Sequence, residues 1–231
     1  NSRDPAGILN HMWYPAGGGD GFYTQIDPED WSVVYRNLQM GGIERHNIKT
    51  GESVRIRPEA KLGEPPYRFN WNSPIYISPH DRNVLYFGGN FLFKSTDRGN
   101  SWVKAGPDLT TNDPAKMKDS GGPITVDNTG AENHCTILTI SEPALKKGVV
   151  WVGTNDGNVQ VTRDGGASWK NVVDAVPGVP KETHVSRVEA SHVDAGTCYV
   201  SFDGHRTDDM KPYVFVTRDY GATWKAIANN L

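Results

Sequence analysis

Four equivalent positions along the chain include residue types that could act together at a metal-dependent catalytic site. Each lies seven residues before the polar residue that closes a short strand-like stretch, and the four are Asp20, Trp71, His134 and His184. Imidazole and carboxylate groups bind divalent transition metals such as Zn²⁺, which polarise a carbonyl or phosphoryl oxygen and lower the pKa of a bound water. We therefore expect a divalent metal held by Asp20, His134, His184 and His205. Its chemistry would be hydrolysis of an ester, lactone, phosphoester or glycosidic bond.

Two other interpretations of these side chains stay open. The spacing matches no recognised metal motif, so the same residues could simply line a water-filled channel. They could also perform general acid–base chemistry without a metal, because imidazole and carboxylate groups exchange protons with a positioned substrate.

A second set of polar residues could perform glycoside hydrolysis. That reaction needs two carboxylates roughly 5–9.5 Å apart, the separation depending on the stereochemical outcome. The candidate catalytic residues are Glu132, Asp156, Glu182, Asp203 and Arg187. None of them falls in a motif typical of glycosidases, and the arginine cluster and tyrosine nucleophile of a sialidase cannot be assigned.

Substrate contacts are expected from residues near the starts of strand-like stretches. The candidates are Trp71, Asn72, Arg68 and His11. An exposed aromatic ring there could stack on a sugar, whereas a buried one would belong to the core.

The elements that must position these residues are short strands joined by turns. Four units can be aligned, each with four apolar or β-branched stretches of a few residues separated by turn residues. The units span approximately 20–58, 70–106, 133–175 and 183–231, with the longest linker between the second and third. Four antiparallel strands per unit predict an all-β chain.

Three of the units share one eight-residue turn. It is Ser-Thr-Asp-Arg-Gly-Asn-Ser-Trp at 95–102, Thr-Arg-Asp-Gly-Gly-Ala-Ser-Trp at 162–169 and Thr-Arg-Asp-Tyr-Gly-Ala-Thr-Trp at 217–224. A carboxylate can accept backbone N–H groups within a turn, glycine supplies a positive φ, and tryptophan packs in the next strand. We therefore assign Asp97, Asp164 and Asp219 a structural role.

This turn resembles the Asp-box, or BNR, repeat of sialidases, xyloglucan-cleaving glycosidases and the sortilin ectodomain. The run 149–169 is also similar to large secreted bacterial propellers of glycosyl-hydrolase-like or sortilin-like type. The resemblance implies a partial β-propeller of four blades, an extracellular or periplasmic location and two alternatives to the hydrolase. These are a non-catalytic carbohydrate- or protein-binding propeller and a structural portion of a longer glycosidase-like protein.

Composition and charge limit the partners. The net charge of −3 in 231 residues offers no electrostatic reason for nucleic acid or an anionic membrane, and no apolar run approaches the roughly 20 residues of a membrane span. No signal peptide is evident in this chain. We expect a saccharide or small-molecule ligand and a homodimer forming an eight-bladed ring, with a closed four-bladed monomer as the alternative. Cys135 and Cys198 could be two buried thiols or a disulfide.

Overall fold

The computed structural model describes residues 7, 9–15, 17–20, 22–119, 121–122, 124–126 and 133–228. These residues form four antiparallel sheets of four strands, each with its strands side by side in chain order. We call the sheets blades 1 to 4 in chain order. The prediction of an all-β chain with four four-stranded units is confirmed.

Blades 1 and 2 come from the first half of the chain. Their strands are β1 (Thr24–Ile26), β2 (Val33–Leu38), β3 (Gly42–Asn47), β4 (Ser53–Arg55), β5 (Ile75–Ile77), β6 (Leu85–Gly88), β7 (Leu92–Ser95) and β8 (Val103–Lys104).

Blades 3 and 4 follow the long linker. Their strands are β9 (Ile137–Ser141), β10 (Val150–Thr154), β11 (Val159–Thr162), β12 (Lys170–Asn171), β13 (His184–Ala190), β14 (Cys198–Gly204), β15 (Asp209–Thr217) and β16 (Lys225–Ala226). The fourth strands of blades 2 to 4 begin directly after the tryptophan of the repeated turn, because the turn extends to that residue before pairing resumes.

Short 3-10 helices interrupt the loops. They are Asn10–Met12, Gln39–Gly41, Val173–Ala175 and His205–Thr207. In the part of the chain that the structure describes, no helix is both long enough and apolar enough to cross a membrane.

The first strands of successive blades are neighbours, β1 beside β5, β5 beside β9 and β9 beside β13. Side chains of blade 3 satisfy the open edge of β13. Thr139 Oγ1 accepts the Val188 N–H at 3.2 Å and Ser141 Oγ accepts the Ala190 N–H at 2.9 Å. These bonds satisfy backbone donors that the edge of a sheet would otherwise leave unpaired.

A separate hydrophobic cluster lies at each junction between blades. Blades 1 and 2 enclose one with Tyr35 and Phe87, blades 2 and 3 another with Tyr86 and Val152, and blades 3 and 4 the largest, with Trp151 at its centre. Burying one large apolar side chain contributes about 1.5–3 kcal/mol, so packing between blades is the main favourable term of this fold.

The three repeated turns share one hydrogen-bond pattern. In blade 3, Thr162 Oγ1 donates to Asp164 Oδ1 at 2.7 Å, and the same oxygen accepts the Ser168 N–H at 2.9 Å. The Gly166 N–H donates to Thr162 Oγ1 at 3.0 Å. Gly166 has a φ of +104°, and a Cβ there would lie 2.9 Å from Ala105 Cβ, so only glycine fits. The expected structural role of the turn aspartates agrees with these bonds.

The turn tryptophans also join neighbouring blades. Trp102 Nε1 donates to the Ile56 carbonyl at 2.6 Å and Trp169 Nε1 donates to the Ala105 carbonyl at 2.8 Å. Each bond ties one blade to the end of the blade before it. Trp224 Nε1, in the last blade, has no such partner among the described residues, and its ring packs edge-on against Trp151.

Because of the turn aspartates, we expect the folded protein to lose stability in acid. Hydrogen bonds from Ser168 and Thr223 hold the pKa values of Asp164 and Asp219 at about 2, and bonds from Ser101 lower that of Asp97. Because these pKa values lie below those of the unfolded chain, the stabilisation is full above about pH 4 and is lost as pH falls towards 2. Urea denaturation at pH 6, 4, 3 and 2 measures this loss.

The control for this prediction is the triple variant Asp97→Asn, Asp164→Asn, Asp219→Asn. It should be less stable than the parent at pH 6 and should lose less stability between pH 4 and 2. An equal loss of stability between pH 4 and 2 in parent and variant would contradict the assignment of these aspartates as the source of the acid sensitivity.

Candidate functional site

Antiparallel pairing decides which loops share an end of the sheets. The start of each first strand lies beside the end of the second strand, as His184 does beside Asp203. The repeated turns, which follow the third strands, lie at the opposite end. We call the end at which the first strands start the mouth face. It carries most of the residues that the sequence singled out.

A cluster of titratable side chains lies on the mouth face of blade 4. His205 Nδ1 is 2.7 Å from both carboxylate oxygens of Asp203, and the His205 backbone N–H donates to Asp203 Oδ1 at 3.0 Å. These bonds lower the pKa of Asp203. Burial lowers the pKa of His184, and the positive charge of Arg206 and a contribution from His134 lower it further. His184, Asp203 and His205 thus lie together in blade 4, and His134, which precedes blade 3, affects the pKa of His184.

The predicted arrangement of four metal ligands is not assembled. Asp20 Oδ2 accepts a hydrogen bond from Gln39 Nε2 at 3.0 Å in blade 1. Within the described ranges, no three His, Cys, Asp or Glu side chains form a group that could hold a metal ion. Metal binding itself stays a prediction.

Two buried nitrogens on the mouth face have no hydrogen-bond partner among the described residues. They are Nε2 of His134 and Nε1 of Trp71. Trp71 is half-buried, and the half-exposed ring of Phe22 packs edge-on against it at 6.2 Å between centroids. Asn72, next to Trp71, is exposed.

Arg68 forms hydrogen bonds with blade 2 and with the linker that follows blade 2. Its Nη2 lies 2.7 Å from Asp108 Oδ2, and the same carboxylate oxygen accepts Asn90 Nδ2 at 3.0 Å. Burial alone would raise the pKa of Asp108, but hydrogen bonds from Thr110 and Asn90 and the charge of Arg68 lower it overall. Arg68 therefore positions the linker, and its guanidinium is already engaged.

Asp156 and Glu182 line one pocket of ≈ 310 Å³ between the linker, blade 3 and the entry to blade 4. Asp156 is buried, and its Oδ2 accepts both the backbone N–H and the hydroxyl of Thr111 at 2.7 Å. Its other oxygen accepts the Thr154 hydroxyl. Glu182 is exposed and forms an ion pair with Lys116. Asp156 thus accepts three hydrogen bonds, two of them from the linker residue Thr111, and its predicted catalytic role stays a prediction.

Arg187 lies on β13, the first strand of blade 4. It pairs with Glu189 at 2.7 Å and interacts with the phenol of Tyr23. Tyr23 in turn donates to the Leu138 carbonyl at 3.0 Å, so residues of blades 1, 3 and 4 meet here.

Two predicted residues receive no side-chain assignment. Glu132 lies outside the described residues, and His11 belongs to the 3-10 helix Asn10–Met12. Cys135 and Cys198 are both buried free thiols, so the alternative of a disulfide between them is wrong.

Sequence reasoning missed the linker as a part of the mouth face. Asp108, Thr111 and Lys116 bind Arg68, Asp156 and Glu182 respectively. The sequence does contain a pattern that indicates an ordered linker, since Asp108 and Thr110 have the Asp-x-Thr spacing of a hydrogen-bonded turn. The linker therefore has a structural role, because its side chains connect blade 2 to the entry of blade 4.

No family model matches the chain. It is 28% identical over 166 residues to Xyloglucanase Xgh74A of Acetivibrio thermocellus, covering 70% of this chain and 18% of that protein. It is 24% identical over 217 residues to an oligoxyloglucan-reducing end-specific xyloglucanase of Emericella nidulans, covering 90% of this chain and 24% of that protein. The chain thus spans less than a quarter of the relatives it matches.

Solved structures support the fold. The GH74 xyloglucanase of Xanthomonas campestris superposes with a TM-score of 0.59 at 21% identity, over 89% of this chain and 30% of that one. The Dos1 propeller superposes with a TM-score of 0.55 at 12% identity, over 90% of this chain and 48% of that one. The chain therefore has the fold of a partial β-propeller with four blades.

Proposed function

We propose that this chain is part of a carbohydrate-active propeller that binds a xyloglucan-type polysaccharide on its mouth face. The observation that carries the proposal is the position of His184 beside the Asp203–His205 pair on that face, close in the chain to the pocket lined by Glu182. Imidazole, carboxylate and amide groups hydrogen-bond sugar hydroxyls, and aromatic rings such as Trp71 and Phe22 can stack on sugar rings. The xyloglucanase relatives supply the substrate class.

A hydrolytic role would use the same residues. The lowered pKa of Asp203 keeps it ionised at neutral pH, so it suits a base or a nucleophile and not a general acid. The second carboxylate would come from Glu182, once released from Lys116, or from Glu132. Secretion, as the resemblance implies, belongs to the same proposal.

Saccharide binding without chemistry is the second candidate. The observation that favours it is the engagement of Asp156, a predicted catalytic carboxylate whose two oxygens accept three hydrogen bonds from Thr111 and Thr154. A measured affinity with no release of reducing ends would support this alternative.

The test is calorimetric titration of the purified chain with xyloglucan oligosaccharides. Trp71→Ala should weaken binding about tenfold or more, since one stacked ring contributes about 1.4 kcal/mol or more. The matched control is Trp31→Ala, because Trp31 is 64% exposed and lies in the turn that follows β1, away from the mouth face. Equal affinity of Trp71→Ala and the parent would contradict the proposed surface.

A reducing-end assay on the same samples, with and without EDTA, separates the remaining alternatives. Loss of reducing-end release on chelation, restored by Zn²⁺, would support the predicted metal. Release that EDTA leaves unchanged but Asp203→Asn abolishes would support acid–base chemistry. Absence of any binding by the parent chain would overturn the proposed function.

A further inference from the structure

The pocket lined by Asp156 and Glu182 has the size of a site for one small ring. Its volume of ≈ 310 Å³ is at the lower end of the roughly 300–1,000 Å³ that small-molecule sites occupy. Its residues come from the linker, from blade 3 and from the segment 173–182 that leads into blade 4. We call it the interblade pocket.

One wall of the interblade pocket is apolar and belongs to the core. Val176 is buried in the cluster between blades 3 and 4, and Val173 and Val179 pack against that cluster. The Val176 N–H donates to the Val173 carbonyl at 2.9 Å, and the Thr183 hydroxyl donates to the Pro180 carbonyl at 2.7 Å. Because core packing and local hydrogen bonds fix this wall, a ligand does not have to order it on binding.

Close backbone contact fixes the position of Glu182 in this pocket. Gly157 has a φ of +95°, and a Cβ there would lie 2.6 Å from the Glu182 Cα, so only glycine allows this approach. Glu182 itself has a φ of +62°, which is uncommon for a residue with a side chain. The Glu182 carboxylate forms an ion pair with Lys116 of the linker. Glu182 is therefore held by blade 3 through its backbone and by the linker through its side chain.

The polar groups of the pocket divide into engaged and free ones. Asn171 Nδ2 donates to Asn158 Oδ1 at 2.9 Å, and Asn158 Nδ2 donates to the Leu109 carbonyl at 3.0 Å. Asp174 and Lys181 are exposed pocket residues, and neither has a hydrogen bond or ion pair within the described part of the chain. These two side chains are therefore available to a ligand.

The charges in the pocket favour a neutral ligand. Glu182 is paired with Lys116, and the free Asp174 is balanced by the free Lys181. The buried carboxylate of Asp156 already accepts three hydrogen bonds. A hydroxyl group can donate to a carboxylate and accept from an ammonium, so a ring with several hydroxyls matches both free groups.

We propose that the interblade pocket binds one neutral sugar ring. Its hydroxyls would bond Asp174 and Lys181, and its C–H face would pack on Val179 and Pro180. The choice of a sugar rests on the proposed function, and the site adds a second contact to it, because the pocket adjoins the entry to blade 4. A polysaccharide on the mouth face would then be held at two places, which increases its affinity.

The experiment is saturation-transfer NMR of the purified chain with methyl β-D-glucopyranoside, a neutral probe of one ring, over a concentration series. The parent should give a saturable signal, and the double variant Asp174→Ala, Lys181→Ala should bind about tenfold more weakly. The matched control is the double variant Asp119→Ala, Lys61→Ala, which removes the same two charges from exposed residues outside the pocket and should bind like the parent. Thermal melts should be alike in all three proteins.

The outcomes separate this inference from the proposed function. Glucoside binding that is absent, or equal in the parent and in Asp174→Ala, Lys181→Ala, would overturn the site, whereas binding of xyloglucan oligosaccharides by the parent would still support the proposed function. Glucoside binding that this double variant loses, in a chain that binds no xyloglucan oligosaccharide, would support the pocket and overturn the proposed function.

Discussion

Replacing Trp151 by alanine should lower the free energy of unfolding by about 3–5 kcal/mol, the usual cost of truncating a fully buried aromatic side chain. Trp151 is 0% exposed and lies in the cluster between blades 3 and 4. Its ring contacts Trp224 edge-on at 6.1 Å between centroids. Truncation would leave a cavity in the cluster that joins blade 4 to blade 3. Urea denaturation followed by tryptophan fluorescence and circular dichroism measures the loss.

Two further variants, one at Trp151 and one at an exposed tryptophan, separate the packing of the Trp151 ring from the polarity of its indole nitrogen. Trp151 Nε1 is buried and has no hydrogen-bond partner in the described structure, so Trp151→Phe removes an unsatisfied donor along with part of the ring. It should cost less than half as much as Trp151→Ala. Trp31→Ala, at a 64% exposed ring, should change stability by less than about 0.5 kcal/mol. Equal losses in all three variants would contradict the central packing role of Trp151.

Replacing Asp27 by alanine should cost about 3 kcal/mol, because a buried carboxylate that joins two blades would be lost. The Asp27 side chain is 0% exposed, and its Oδ2 lies 2.8 Å from Arg98 Nη2, in the repeated turn of blade 2. Its Oδ1 accepts the Glu29 N–H at 3.0 Å and lies 3.3 Å from Arg82 Nη1. Alanine would leave two guanidinium groups without this partner and a backbone donor unsatisfied. Thermal and urea unfolding measure the effect.

Glu29→Gln is the matched control for Asp27→Ala. Glu29 also lies 3.3 Å from Arg82 Nη1, but its side chain is 73% exposed, and exposed ion pairs contribute about 0–1 kcal/mol. A double variant Asp27→Ala, Arg98→Ala should lose less stability than the sum of its two single variants, since both remove the same ion pair. Strict additivity would show that the pair between Asp27 and Arg98 contributes nothing.

Local patterns predicted the strands well. In blade 3, for example, the third strand Val159–Thr162 is a run of mostly β-branched residues between turn signals, a pattern that depends on nearest neighbours. The repeated turns were equally accessible, since Thr162, Asp164 and Ser168 bond one another within seven residues.

Non-local contacts limited the prediction of the candidate site. The spacing placed Asp20, Trp71, His134 and His184 at equivalent positions, and His134 affects the pKa of His184. Asp20 instead bonds Gln39, because the segment before β1 runs along blade 1. No local pattern indicated that Thr111 would saturate Asp156, which lies 45 residues away along the chain.

The amino-acid sequence by itself determined the strands, the three turns and the number of blades, since all depend on residues within a few positions of one another. Only the tertiary structure decided which polar groups are free. Asp156 and Arg68 are engaged by a linker whose path depends on packing between blades, whereas Asp203 and His205 meet through their own loop. It also showed that Tyr199, on the second strand of blade 4, is 41% exposed, whereas Tyr35, Tyr86 and Trp151 on the second strands of blades 1 to 3 are buried, because burial depends on the packing of a neighbouring blade.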